Sequence, residues 1–90
     1  MLASTTVTLN NSTPTVVVDG SLYDGDIEVH LQTPASQTVI IGDSGVTTTA
    51  GFELDASTRD FTIRLEQGDK LYGIAASAPT ALIGVLLFNA

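Results

Sequence analysis

The sequence predicts an all-β domain, a single small antiparallel β-sandwich or barrel of jelly-roll type with about eight strands. Val, Ile and Thr, whose branched side chains suit a pleated sheet, number 8, 6 and 13 of the 90 residues. Turn residues interrupt the chain roughly every eight to twelve residues, the spacing typical of sandwiches and barrels. No segment repeats its apolar residues at the helical period. We therefore expect one domain covering residues 1–90.

The first half of the chain contains four predicted strands. Residues 5–10 alternate between apolar and polar side chains until an Asn-rich break. Residues 15–19 are short and apolar. Residues 26–33 alternate most regularly, which predicts one buried face and one solvated face. Residues 38–41 form a second short apolar strand, followed by a Gly- and Thr-rich link.

Four further strands are predicted in the second half. Residues 52–54 form a short strand, and residues 60–67 alternate regularly. Gly68-Asp69 is predicted to be a two-residue hairpin connection of type II′, because glycine tolerates its positive φ. Residues 70–77 then return antiparallel to the preceding strand. The last strand, 81–88, is apolar on both faces, so it is expected to be central or packed against a second subunit.

The two ends of the chain are the predicted contact regions. Residues 1–6 are expected to form an arm that is flexible or adds a strand to a neighbouring sheet. In the last strand, one face carries Leu82, Leu86 and Phe88 and the other carries alternate aliphatic residues. If either face stays uncovered within the chain, it marks an assembly surface. The residues predicted at a partner interface are Leu82, Ile83, Val85, Leu87, Phe88 and Tyr72.

Charge and cysteine content exclude several classes of function. The net charge is −7, and the only cations are Arg59, Arg64 and Lys70, so no basic surface exists for nucleic acid. Without cysteine the chain has no disulfide framework, zinc knuckle or thiol nucleophile. The longest apolar run is far shorter than the about 20 residues that span a bilayer as a helix. We expect neither a targeting segment nor a membrane partner.

No catalytic or cofactor site is predicted, and we expect the protein not to be an enzyme. His30 is the only histidine, and its strand parity places it on a solvated face beside Glu28. Asp24-Gly25-Asp26 offers two oxygen ligands to Ca²⁺, but Asp-Gly is also common turn chemistry, and both interpretations stay open. Tyr23, Tyr72 and Phe52 are candidates for a sugar-stacking platform, although core or interface packing explains them better.

The second half of the sequence resembles small structural proteins of tailed bacteriophages. The pattern is an apolar strand ending in Gly42, a Val-Thr-Thr loop, Gly51-Phe52-Glu53-Leu54, and then Gly68-Asp69-Lys70-Leu71-Tyr72-Gly73-Ile74-Ala75-Ala76 before a closing apolar strand. The resemblance covers roughly residues 38–88. It is a structural pattern and carries no catalytic residues.

The resemblance implies a virion structural protein. The expected role is a capsid decoration (cementing) protein that binds the major capsid protein on the outside of the head shell and stabilises it. The expected form is a homo-oligomer, with a trimer favoured, made in the host cytoplasm and located on the capsid surface. The alternative is a carbohydrate- or host-surface-binding β domain of a head or tail fibre.

Overall fold

The computed structural model describes residues 1–90 and contains eight strands, which confirms the all-β class. A single 3₁₀ turn lies at Gly20–Leu22. The strands are β1 (Leu2–Asn10), β2 (Thr15–Asp19), β3 (Ile27–Gln32), β4 (Val39–Gly42), β5 (Phe52–Leu54), β6 (Asp60–Leu65), β7 (Lys70–Ala75) and β8 (Thr80–Asn89). No helix in the structure has the length and apolar character needed to cross a membrane.

The strands form two four-stranded antiparallel sheets. Sheet A has the order β1-β8-β3-β6, and sheet B has the order β2-β7-β4-β5. Successive strands alternate between the sheets except at the β4–β5 pair, which stays within sheet B. This order is the double-sheet arrangement of a jelly roll. β8 is central in sheet A, between β1 and β3, as its apolar sequence predicts.

One hydrophobic core fills the space between the sheets. It consists of 16 buried residues, contributed by strands of both sheets. The alternating strands supply one face each, and in β3 Ile27, Val29 and Leu31 are almost completely buried. In β2 a register shift between Val16 and Val18 turns the two successive side chains of Val17 and Val18 inward. Such a bulge explains why this strand is apolar without alternation.

Two local predictions differ from the structure. Residues 2–6 are not a flexible arm, because they are the first part of β1 and pair with β8 of their own chain from Leu2↔Phe88 onward. The Gly68-Asp69 hairpin is also wrong, since β6 and β7 lie in different sheets. The turn begins at Glu66, whose carbonyl accepts the Asp69 N–H at 3.0 Å, and Gly68 takes φ of 91° at its third position. A type II turn places its positive φ there.

The outer face of sheet B is covered by the loop between β4 and β5. Ile40 and Ile74 are cross-strand neighbours on this face, and Val46 from the loop packs on them to form a second small buried cluster. The loop holds its shape through two backbone hydrogen bonds, Val46 N–H to Asp43 O and Thr47 N–H to Ala50 O. Strand β4 is therefore apolar on both faces because each face is buried within this chain.

Replacing Thr33 with valine is expected to stabilise the domain by about 1 kcal/mol. The Thr33 hydroxyl is buried and makes no hydrogen bond, so it carries a desolvation cost that an isosteric methyl group removes. Urea unfolding measures the change. Thr62→Val is the control, because the Thr62 hydroxyl is exposed and hydrogen-bonds His30. A loss of stability in Thr33→Val would contradict the expectation.

Candidate functional site: the β1–β8 surface

The two faces of β8 have different surroundings. Ile83, Val85 and Leu87 point between the sheets and are buried in the main core. Three of the six residues predicted at a partner interface are therefore core residues, because β8 lies directly over sheet B. Leu82 and Leu86 point the other way and are 46% and 38% exposed. Nothing in this chain covers them.

Tyr72 lies on a different side of the molecule. It is half-buried and packs against the small cluster of Ile40, Val46 and Ile74 on the outer face of sheet B. It therefore belongs to the surface opposite that of Leu82 and Phe88, and the six predicted interface residues do not form one surface. Leu2 and Leu86 are not among the six predicted interface residues, although strand parity places both on the same face as Leu82.

The outer face of sheet A consists of regular cross-strand rows. We call its part on β1 and β8 the β1–β8 surface. In the first row Leu2 lies opposite Phe88, and in the second Ser4 lies opposite Leu86. Two further rows pair Thr6 with Gly84 and Thr8 with Leu82. The residues of the β1–β8 surface are Leu2, Ser4, Thr6, Thr8, Leu82, Gly84, Leu86 and Phe88.

The β1–β8 surface carries no charge in a strongly acidic chain. Neither Leu2–Asn10 nor Thr80–Asn89 contains an ionisable side chain, whereas the net charge is −7. Charged groups begin on the next strand of the sheet, where Glu28 lies opposite Phe88. Apolar area that is uncharged and uncovered is typical of a protein contact surface.

His30 borders the β1–β8 surface, opposite Leu86. Its Nδ1 lies 2.9 Å from the Thr62 hydroxyl, and its Nε2 lies 3.9 Å from an Asp60 carboxylate oxygen. All three side chains reach solvent, as the strand parity predicts. Because Gly84 has no side chain, shallow open depressions lie on either side of it, one of them lined by His30 and Leu86. Neither depression is enclosed.

The loop aspartates hold turns together. Asp19, Asp43 and Asp55 each accept the backbone N–H of the residue two positions later, at 2.8–3.0 Å. Asp26 accepts the Gln67 N–H at 3.1 Å and pairs with Arg64 at 3.1 Å. The first three bonds lie within single turns, whereas the Asp26 bonds connect the residue before β3 to β6 and to the loop after β6. No group of three or more His, Asp or Glu side chains is placed to hold a metal ion.

The same hydrogen bonds lower the pKa of three aspartates below the ordinary value of 3.8. The Gln67 N–H and then the Arg64 guanidinium lower the pKa of Asp26. The Ser21 hydroxyl and amide lower the pKa of Asp19, and the Ser57 and Thr58 amides lower that of Asp55. In each case the donors favour the ionised carboxylate.

Stability is expected to fall in acid. A carboxyl group whose folded pKa is lowered stabilises the fold above its unfolded pKa, and this contribution is lost as the pH falls through the folded value. The urea midpoint should therefore be flat between pH 7 and about pH 5 and decline below about pH 4. Asp26→Asn should flatten part of that decline, whereas Asp24→Asn, an exposed neighbour, should not. An identical acid decline in both variants would contradict this assignment.

The three aromatic residues considered as a sugar platform are separated in the structure. Tyr72 lies in the small cluster on sheet B, whereas Tyr23 packs against the main core. Phe52 contacts Phe61 of sheet A, with ring centroids 4.5 Å apart. No shared aromatic surface results from these positions.

No protein-family model matches this chain, and no curated protein matches it. Among solved structures, the chain is similar to one described as "Bacillus endospore appendages form a novel family of disulfide-linked pili". The two are 14% identical, with a TM-score of 0.49, over 97% of this chain and 84% of that one. At this level the similarity carries no information on function.

Proposed function

We propose that this protein is a structural component of a virion, and that it decorates the outside of a bacteriophage head shell and stabilises it as a homo-oligomer. The pattern of residues 38–88 supports the virion role. The observation that carries the proposal is the β1–β8 surface, where Leu82 and Leu86 lie uncovered in the centre of a sheet. A cementing protein needs contact surfaces rather than a reactive site.

The contrast between the two sheets strengthens this interpretation. Sheet B also has apolar residues on its outer face, Ile40 and Ile74, but Val46 from the chain's own loop buries them. Sheet A has no such loop over Leu82 and Leu86. A domain of 90 residues buries a smaller share of its surface than a larger domain, so covering these leucines through assembly adds stability.

Charge supports the same role. Most carboxylates lie on loops and none lies on the β1–β8 surface, although Glu28 of β3 borders it opposite Phe88. This acidity favours solubility before assembly and attracts the chain to basic surfaces of a shell. A contact made through the β1–β8 surface brings no like charges together, because that surface has no charged side chain.

The test compares head shells that carry the protein with shells that lack it. Heating or transfer to low salt should disrupt the bare shells first, and adding back the purified chain should restore resistance. Leu86→Glu should abolish the restoration, because it places a charge in the apolar contact. Leu22→Glu is the matched control, since Leu22 is 74% exposed and lies in the 3₁₀ turn between β2 and β3, outside the β1–β8 surface. Equal resistance of bare and decorated shells would overturn cementing.

The same variants separate decoration from the fibre alternative. A carbohydrate- or host-surface-binding domain should bind glycans on an array, and Tyr72→Ala should remove that binding. Leu86→Glu should leave glycan binding intact, because Leu86 and Tyr72 lie on opposite sheets. Glycan binding that is lost in Tyr72→Ala and kept in Leu86→Glu, together with no effect of the protein on shells, would favour the fibre role over decoration.

A further inference from the structure

Three of the four edge strands have features that hinder pairing with another chain. β5 has only three residues, including Glu53. β6 carries Asp60 and Arg64. β2 contains the bulge near Val17 and ends at Asp19. Short length, charge and bulges are the means by which natural sheets avoid edge-to-edge association.

The fourth edge, β1, has none of these features. It is nine residues long, contains no proline and no charge, and pairs with β8 in an unbroken register. A long, regular and uncharged edge is a template for another strand. The contrast within one molecule distinguishes β1 from the other edges.

The direction of the free backbone groups follows from two hydrogen bonds of β8. The Leu82 N–H donates to the side-chain oxygen of Gln37, in the segment after β3, at 3.1 Å, and the N–H of Ala90, directly after β8, donates to the Asp26 carbonyl, next to β3, at 3.3 Å. The even-numbered residues of β8 therefore turn their backbone groups toward β3, and the odd-numbered ones bond β1. In β1 the odd-numbered partners are bonded, so Ser4, Thr6 and Thr8 direct their N–H and C=O groups to the open edge.

We infer that β1 pairs with β1 of a second copy, antiparallel and about a two-fold axis at Thr6. In this register Thr6 lies opposite Thr6 of the partner subunit, and Ser4 lies opposite Thr8. All three have free backbone groups, so each pair exchanges two hydrogen bonds. The register uses the whole strand and keeps every side chain on its own face.

A second copy is the occupant that the composition of the strand favours. Pairing β1 with itself places threonine and serine opposite one another, which are favourable cross-strand neighbours. No like charges meet, although each chain carries −7. Pairing β1 with β5 or β6 of another copy would instead bring Glu53, Asp60 or Arg64 to the contact. The result is one continuous sheet built from two copies of sheet A.

This inference rests on the proposed function only in that both require a homo-oligomer. A contact with two-fold symmetry closes after two copies. It therefore replaces the trimer, which the resemblance implies, as the species expected in solution. The outer face of sheet A stays free in this dimer to contact a shell.

Sedimentation of the full chain over a concentration series tests the pairing. The wild type should form a dimer, and Thr6→Glu should raise its dissociation constant about tenfold or more, because two carboxylates meet at the axis. Gln32→Glu is the matched control, because Gln32 lies in the same row of sheet A, opposite Gly84, but on an inner strand. Its dissociation constant should stay within about twofold of the wild type.

Cross-linking tests the register, and the absence of native cysteine makes it specific. Thr6→Cys should give a disulfide-linked dimer under mild oxidation, since residues in a hydrogen-bonded pair lie about 5.5 Å apart. Ser4→Cys should not, because the two copies of residue 4 lie about 13 Å apart along the strands. Dimerisation lost in Thr6→Glu, with cross-linking at Thr6→Cys, supports the inference.

Three outcomes would overturn the pairing: a monomer at every concentration, a trimer, or a dimer equally weakened by Thr6→Glu and Gln32→Glu. The last would indicate that the outer faces of sheet A stack on each other.

The shell experiment tests decoration independently of the pairing. If a monomeric or trimeric chain stabilises shells, decoration is supported and only the β1 pairing is overturned. If the chain is a dimer paired through β1 but has no effect on shells, the β1 pairing is supported and decoration is overturned.

Discussion

Replacing Ile83 with alanine is expected to cost about 4 kcal/mol of folding free energy. Ile83 is completely buried in the centre of β8 and packs in the core between the sheets. The substitution removes buried apolar contacts and leaves a cavity that the surrounding strands fill only in part. A domain of this size has a total stability on the order of 5–10 kcal/mol, so the variant should be close to unfolding at moderate temperature.

The control for Ile83→Ala is its neighbour on the same strand. Leu82 points to the other face of sheet A and is 46% exposed, so Leu82→Ala should cost less than about 1 kcal/mol. Urea unfolding followed by circular dichroism measures both variants. Equal losses for the two would mean that both faces of β8 are buried within one chain, and the β1–β8 surface would then not be available for contacts.

Replacing Gly51 with alanine is expected to cost about 3 kcal/mol. Gly51 has φ of 140°, a conformation that residues with a side chain rarely adopt. A Cβ atom there would also lie 2.5 Å from a methyl carbon of Ile40 and 2.6 Å from one of Val46. Strain and collision act together, because Gly51 lies against the small cluster that the β4–β5 loop buries.

A second glycine shows the cost of a milder positive φ without a collision. Gly25 also has positive φ, 74°, but a Cβ atom there would meet nothing within 4 Å. Gly25→Ala should therefore cost only the backbone term, about 1 kcal/mol. The difference between the two free energies of unfolding contains the collision together with the larger backbone strain at φ of 140°. If Gly51→Ala cost no more than Gly25→Ala, the loop would not be packed tightly over sheet B.

Alternation predicted β3 and β6 well because sheet A has one buried face and one face open to solvent. β3 and β6 show this most clearly, since Ile27, Val29 and Leu31 lie opposite Leu65, Ile63 and Phe61 in the register that their pattern requires. The short strand β5 was also predicted from its sequence. Composition and turn spacing were sufficient for the fold class, because few other folds accommodate so many β-branched residues between frequent turns.

Contacts between residues distant in the chain could not be predicted in this way. Val46 is a single valine in a Thr-rich loop, and no local pattern shows that it buries Ile40 and Ile74. The pairing of Leu2 with Phe88 depends on strand order, so the first strand looked shorter than it is. The pattern of β8 placed Leu82 and Leu86 together but did not show which face the core would take.

The central position of β8 affects how the chain is made. Sheet A needs β8 between β1 and β3, yet β8 follows every other strand in chain order. During synthesis on the ribosome, β1 and β3 therefore have no partner between them until nearly the whole domain has emerged. Pairings of such long sequence separation form slowly. β1 and β3 therefore each keep an unpaired edge until β8, the most apolar segment, has been synthesised. A premature stop before residue 80 would leave sheet A without its central strand.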